Sequence, residues 1–421
     1  MVEDSRLNSK KSWAVTAIVC LCFFVVETSE QRVPPILPIL SENMGLSVVD
    51  GGWLMSALGW ASLLAALPAA WLLTKIKPKL TMALAVALPL VSGILGGVTE
   101  SFAVLCFARV LSGAGIGILG VICAFIIDEW FTPDKRGLPT AIMVCMYPIA
   151  CFFMLNVSPL LTESFSWHAV WWLGAVLSAI TLVVVFARLS NKRPYTESHT
   201  AKLKESNETA EKVSVKKLVK TPSLWCVLVA FLCFDITFYG LTTYMPTALV
   251  ETYGATLDFS TLIVSLLSAV MIPAIVLNGV LLNKVGIKNR KYLPAIGLAG
   301  LGFGAALAFF APSLMVAALA MVVAGFFVGF ISSSLFTIGP DTIPRPVYIG
   351  IVVALVTLFQ NAGIAVGPLV IGTVVEAAGN VWSAAGLPCL IIGLLGALCC
   401  LLINNKEAAA IEKKEKVAKT K

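Results

Sequence analysis

Long apolar runs separated by short polar stretches dominate the chain from end to end. Twelve such runs can be drawn, near 13–40, 51–74, 80–99, 102–127, 138–162, 168–188, 223–250, 258–283, 292–311, 313–337, 347–375 and 381–403. Most exceed the roughly 20 residues that carry a helix across a bilayer. In hydrocarbon every backbone N–H and C=O must find its partner within the segment or barrel, so each run is predicted to be helical. The period-2 alternation of a membrane barrel is absent. The predicted class is therefore an all-α membrane protein of twelve transmembrane helices. The ninth and tenth spans are parted by Ala311, Pro312 and Ser313 alone, the weakest of the boundaries.

Composition strengthens this picture. Of 421 residues, 58% are hydrophobic and 13% charged, too little polar surface for a water-soluble domain of this length. Lys10 and Lys11 precede the first apolar run as in a signal peptide, but no small-residue cleavage site follows and the run continues to full span length. It is read as the first span, and no lipidation motif is visible. All eleven cysteines fall in apolar runs without metal-ligand spacing, so they are read as packing residues, with no metal or cofactor implied.

Charge then orients the spans. With both termini cytoplasmic, 28 of the 30 Lys and Arg residues fall on the cytoplasmic side, nine of them between spans 6 and 7. The opposite loops hold only acids, such as Glu42, Asp50, Glu100, Glu163, Glu251, Asp258 and Glu376. This is the positive-inside pattern of a multi-pass protein of the cell (inner) membrane. The net charge of +7 is the sum of these anchors and calls for no nucleic-acid partner. The expected organisation is a six-helix bundle over 1–190, a cytoplasmic linker over 191–221, a second six-helix bundle over 222–404 and a charged, disordered tail over 405–421.

The two halves repeat. An offset of about 209 residues brings Ala70, Thr74, Lys75 and Lys79 onto Gly279, Asn283, Lys284 and Lys288, and Val157-Ser158-Pro159-Leu160 onto Val366-Gly367-Pro368-Leu369. Gly113 and Gly117 meet Gly325 and Gly329 at 212, and Glu27 and Pro38 meet Asp235 and Pro246 at 208. Parallel repeats of this kind are a transporter architecture with the solute site between the halves. The chain resembles the major facilitator superfamily over essentially its whole length. That family's loop motif, G-x-x-x-D-R/K-x-G-x-R/K, is matched by Gly279-x-x-x-Asn283-Lys284-x-Gly286-x-Lys288, and in degenerate form by Ala70, Thr74, Lys75, Lys77 and Lys79. Its fourth-span motif is matched by Arg109-x-x-x-Gly113-x-Gly115, followed by Glu129-Trp130-Phe131-x-Pro133-x-x-Arg136-Gly137. Both loop motifs lack the aspartate. Span 5 keeps Pro159 but not the glycines of the antiporter motif.

The resemblance implies that spans 1, 4 and 7 line a central pathway. The charges away from the predicted interfaces lie there: Glu27, Glu30 and Arg32 on span 1, Arg109 on span 4 and Asp235 on span 7. Such charges are tolerated in a membrane where they face a cavity or a partner. Glu27, Glu30 and Gln31 share a helix face, and Asp235, Tyr239, Thr242 and Pro246 form a similar stripe. Glu27, Glu30 and Asp235 are candidates for proton coupling; the alternative is that they only pair with Arg32 or Arg109 and hold helices together. Arg32, Glu30, Gln31, Arg109, Tyr239, Gln360 and Asn361 are candidates for solute binding, the guanidinium groups favouring an anion. Arg109 could equally be a structural residue beside the glycine-rich stretch. Tyr147, Asn156 and Ser332 to Ser334 are further candidate polar groups. A cytoplasmic gate is assigned to Thr74, Lys75, Asp128, Glu129, Arg136, Gly279, Asn283, Lys284, Asp341 and Arg345. In it Asp128 and Glu129 pair with Lys75 or Arg136, and Asp341 with Lys284 or Arg345, in place of the missing aspartates. His168 is placed in an aromatic belt between Trp167 and Trp171.

The function expected is secondary transport of a small solute, proton-coupled and anionic, by a monomer in the lipid bilayer. Efflux of hydrophobic compounds is the alternative within transport, and a transporter-like membrane sensor the alternative outside it. No nucleotide loop or zinc signature gives catalysis residues to stand on.

Overall fold

The computed structural model describes residues 7–132, 135–195, 218, 220–343 and 346–405, with the side chains of a few positions within these ranges, Thr74 and Asn283 among them, outside the description. The described residues hold twelve helical stretches long and apolar enough to cross a membrane. Span 1 comprises α1 (Lys10–Glu30), a 3-10 turn (Pro34–Ile36) and α2 (Leu37–Met44). Spans 2 to 4 are α3 (Val48–Lys75), α4 (Pro78–Val98) and α5 (Phe102–Trp130). Span 5 is split into α6 (Gly137–Val144) and α7 (Met146–Ser164), and span 6 is α8 (His168–Arg188). Spans 7 to 9 are α9 (Pro222–Tyr253), α10 (Leu257–Lys284) and α11 (Tyr292–Phe309). Span 10 is split into α12 (Leu314–Val328) and α13 (Ser332–Asp341); spans 11 and 12 are α14 (Pro346–Ala377) and α15 (Gly386–Leu402). At the weak boundary after span 9, Ser313 caps α12 by accepting a hydrogen bond from the Val316 N–H.

Two compact units form, one from Met1–Leu46 and Trp53–Thr209, the other from Ser47–Gly52 and Ala210–Lys421. In the first, Ser9 and Ser12 make a reciprocal capping box at the start of α1. Asn8 fastens the same end to Thr132, donating to its hydroxyl at 3.0 Å and accepting from its N–H at 3.2 Å. The interior between spans 1, 3 and 4 is filled by Val19, Cys22, Val86, Leu119, Ile122 and Cys123, all 0% exposed. In the second unit Tyr244 donates its hydroxyl to Val48 O at 2.9 Å and Pro368 O at 3.0 Å, fastening the segment Ser47–Gly52.

The repeat is visible in the backbone of each unit taken alone. Spans 1 and 7 both end on a left-handed glycine, Gly45 at φ 64° and Gly254 at φ 60°, a conformation that closes helices and costs a glycine little. A Cβ on Gly113 would lie 2.1 Å from Leu58 O, and one on its counterpart Gly325 would lie 2.3 Å from Leu267 O. Spans 4 and 2 therefore touch backbone to backbone, and so do spans 10 and 8. Small residues at such crossings are how membrane helices approach closely.

Candidate functional site

Two successive prolines shape span 1. Proline has no N–H, so Pro34 and Pro35 cannot bond the carbonyls of Glu30 and Gln31, and the α-helix stops at Glu30. The chain between Gln31 and Val33 is non-helical, and the polar residues Glu27, Glu30, Gln31 and Arg32 cluster at or just before this break. All four are buried, at 5%, 2%, 5% and 0% exposure. Gln31 Nε2 bridges Glu30 Oε1 at 3.2 Å and the Tyr147 hydroxyl of span 5 at 3.3 Å.

The two arginines occupy different situations. Arg109 is 0% exposed, and its guanidinium donates from Nη1 to Ser29 O at 2.6 Å, from Nε to Leu54 O at 3.1 Å and from Nη2 to Met55 Sδ at 3.4 Å. These bonds join spans 1, 2 and 4 next to the break. Arg32 is also 0% exposed, yet none of its three nitrogens has a hydrogen-bond partner among the described residues. Its guanidinium lies 4.8 Å from the Trp171 ring centroid on span 6. A Cβ on Gly174, one helical turn further, would sit 2.5 Å from Arg32 Nη2. The cation is thus seated on an indole face and against bare backbone, with no acceptor. A desolvated cation–π contact returns about 2 kcal/mol or somewhat more, while a buried ion without partners costs several kcal/mol.

Trp171 itself is 0% exposed, and its Nε1 is buried without a hydrogen-bond partner. This corrects the aromatic belt: Trp171 is an interior residue wedged against Gly96 of span 3, where a Cβ would lie 2.0 Å from the ring. Trp167 stacks on His168, the ring centroids 3.6 Å apart.

In the second unit Asp235 is 1% exposed on an unbroken α9, and span 11 approaches it through Gly363, whose Cβ would lie 2.6 Å from Asp235 Cβ. Tyr239 is buried and stacks edge-on with Phe238. Asn361 is buried and donates to Thr357 O at 2.9 Å, whereas Gln360 is half-buried. None of Glu27, Arg32 and Asp235 is turned to the exposed surface of its unit. Asn278 donates to Ser333 and Ser334 across the break in span 10, at 2.8 and 3.0 Å, and Asn156 bonds only Phe152 O of its own helix among the described residues. A cavity of ≈ 410 Å³ elsewhere in this unit is lined by Glu251, Tyr253, Phe309 and Trp382; none of the candidate solute or proton residues borders it.

The gate residues sort into two groups. Asp128 pairs with Arg136 at 2.8 Å, one of the two partners expected. Glu129 instead meets Arg193 at 3.1 Å, with the guanidinium over Phe125 at 4.7 Å. Asp341 meets Arg290 at 3.4 Å rather than Lys284. The physical reason is reach: Arg193 follows span 6 and folds back onto the end of span 4, and Arg290 sits in the loop beside the end of span 10. Lys75 and Lys284 are exposed and form no ion pair among the described residues. Gly279 faces open space. The side chains of Thr74 and Asn283, and Arg345, lie outside the described residues. Trp171, Gly174, Arg193 and Arg290 were not singled out as functional from sequence; nothing in their local pattern distinguishes them from packing or anchoring residues.

Residues 19–352 match the model of the Major Facilitator Superfamily. A Bacillus subtilis (strain 168) relative, named "Probable galactarate/D-glucarate transporter", is 26% identical over 54% of this chain and 55% of its own length. The chain thus aligns to little more than half of that relative. Among solved structures, a bacterial homologue of the human lysosomal transporter Spinster superposes with a TM-score of 0.73 at 16% identity, covering 96% of both chains. A D-xylose-proton symporter superposes with a TM-score of 0.73 at 15% identity over 93% of this chain and 97% of its own. At these identities the superpositions speak to fold. With twelve membrane-capable helices and a family match over most of its length, the chain is a multi-pass membrane protein belonging to the Major Facilitator Superfamily.

Proposed function

We propose that the protein is a proton-coupled carrier of a small organic anion, working by alternating access as a monomer in the cell membrane with both termini cytoplasmic. The observation that carries this reading is Arg32: a fully buried guanidinium with no hydrogen-bond acceptor among the described residues, on the span that also carries the buried Glu27 and Glu30. An anionic solute supplies the acceptors that the protein withholds. Glu30 and Gln31 are proposed to complete solute binding in the first unit, and Tyr239, Gln360 and Asn361 are proposed as solute-binding residues of the second, while Arg109 positions the break of span 1. Glu27, Glu30 and Asp235 carry the proton, since a carboxyl group at membrane depth is far easier to carry through a rearrangement neutral than charged. The relative named for galactarate and D-glucarate, both organic anions, supports the solute class, and the symporter of like fold supports the coupling.

The test is uptake of labelled organic anions into vesicles with and without an inward proton gradient. Accumulation should require the gradient, and Arg32→Ala should lower uptake about 100-fold, the loss of one or two charge-assisted hydrogen bonds. Glu27→Gln should abolish gradient-driven accumulation yet leave solute exchange. Normal uptake by Arg32→Ala and Arg32→Lys would remove Arg32 from the site.

A further inference from the structure

The ≈ 410 Å³ cavity of the second unit takes no part in the solute and proton chemistry proposed above. It lies at the end of the unit where α9 and α11 finish, beside the 3-10 turn Trp382–Ala385 that leads into span 12. Met245, Ala248, Phe309 and Trp382 line it and are buried, while Glu251 lines it and is exposed. The carboxylate is held in place. Trp382 Nε1 donates to Glu251 Oε2 at 2.8 Å. The Trp382 ring in turn lies 5.7 Å from the Tyr244 ring, centroid to centroid, and Tyr244 is bonded to Val48 O and Pro368 O. A fixed indole thus orients Glu251 and leaves Oε1 as an acceptor. No Lys or Arg pairs with it among the described residues. None is close in the chain either: the stretches 251–258, 310–314 and 376–386, which close this end of the unit, hold Glu251, Asp258 and Glu376 and no Lys or Arg.

We propose that this cavity binds a small organic ammonium group. Glu251 supplies the opposite charge, and Phe309 and Trp382 supply ring surfaces that attract a cation. An anion would meet the carboxylate and no base. A neutral apolar molecule would desolvate Oε1 without giving it a donor. The volume falls in the range of small-ligand pockets. The same ammonium chemistry is carried by a free amine and by the headgroup of an ethanolamine phospholipid, and aromatic side chains at the end of a span suit either. Nothing in this site depends on the anion-carrier reading.

The test is equilibrium binding of labelled choline to the purified full chain in nanodiscs of phosphatidylglycerol, measured above empty discs. Choline should bind. Its uncharged tert-butyl isostere, in which carbon replaces the nitrogen, should compete about tenfold more weakly or worse, since only the cation gains from the carboxylate and the rings. Glu251→Gln keeps an oxygen for the Trp382 N–H and removes the charge. It should weaken choline binding about tenfold, bring the two ligands level and melt with the parent. Trp382→Phe keeps a ring but releases the carboxylate, and should weaken binding by less, about threefold. Adding phosphatidylethanolamine to the discs separates the two sources. A raised choline Kd supports the site with the headgroup as its occupant, and an unchanged Kd supports it with a free amine. Absence of choline binding, equal binding of the isostere by the parent, or unchanged choline binding by Glu251→Gln overturns the proposal.

Discussion

Spans 1 and 7 occupy the same place in the repeat and end on equivalent left-handed glycines, but they differ in how they treat proline. Span 7 has a single interior proline, Pro246, and runs as one helix from Pro222 to Tyr253. Span 1 has Pro34 and Pro35 in succession and breaks. One missing N–H can be absorbed by a bend; two in a row remove adjacent rungs of the ladder, and the helix ends. The break draws in Arg109, which donates to Ser29 O, and it leaves Arg32 on a non-helical link. The unbroken span keeps its acid, Asp235, on a continuous face packed against Gly363. A repeat thus became asymmetric in chemistry while staying symmetric in its helix crossings.

Three pairs of substitutions would break or sharpen this contrast. The largest effect is expected at Arg109. Arg109→Ala should lower the stability of the first unit by about 3 kcal/mol or more, since two backbone carbonyls lose charged donors. Thermal melting in detergent would show this, and Arg32→Ala, which strips no hydrogen bond, should melt at or above the parent temperature. Equal destabilisation by both would erase the distinction between the two arginines.

Next comes the symmetry of the crossings. Gly113→Ala and Gly325→Ala each force a methyl group onto a backbone carbonyl, 2.1 Å from Leu58 O and 2.3 Å from Leu267 O. Each should cost about 1–3 kcal/mol, and the two costs should match. A large penalty at Gly113 with none at Gly325 would mean that the second unit relaxes where the first cannot.

The smallest effect is expected at the ion pairs that end spans 4 and 10. Arg193→Ala and Arg290→Ala remove part-exposed partners of Glu129 and Asp341 and should cost no more than about 1 kcal/mol in melting experiments. Because the two ion pairs lie in different units, their effects on uptake should separate: a change in uptake rate for one variant and not the other would assign the effect to that unit's ion pair.

Much of the architecture was legible in the sequence because hydrocarbon imposes helices on every long apolar run, and because twelve runs and a shared offset near 209 leave few folds to choose from. The list of membrane-depth charges was legible for the same reason: charges there are rare, so Glu27, Glu30, Arg32, Arg109 and Asp235 stood out by position alone. What each charge touches was not legible. Ser29 and Leu54 are ordinary residues whose backbone carbonyls meet Arg109 only through packing, and Trp171 and Gly174 meet Arg32 from a span whose one charge, Arg188, lies at its far end. Likewise Glu129 and Asp341 could be recognised as anchors seeking a cation, yet their choice of Arg193 and Arg290 was settled by where the loops return. The sequence determined the spans, the repeat and the inventory of scarce charges, since these follow from local composition and the bilayer. Only the tertiary structure decided which guanidinium was satisfied and which was left bare, because hydrogen-bond partners are assigned by helix packing across distances that no local pattern records.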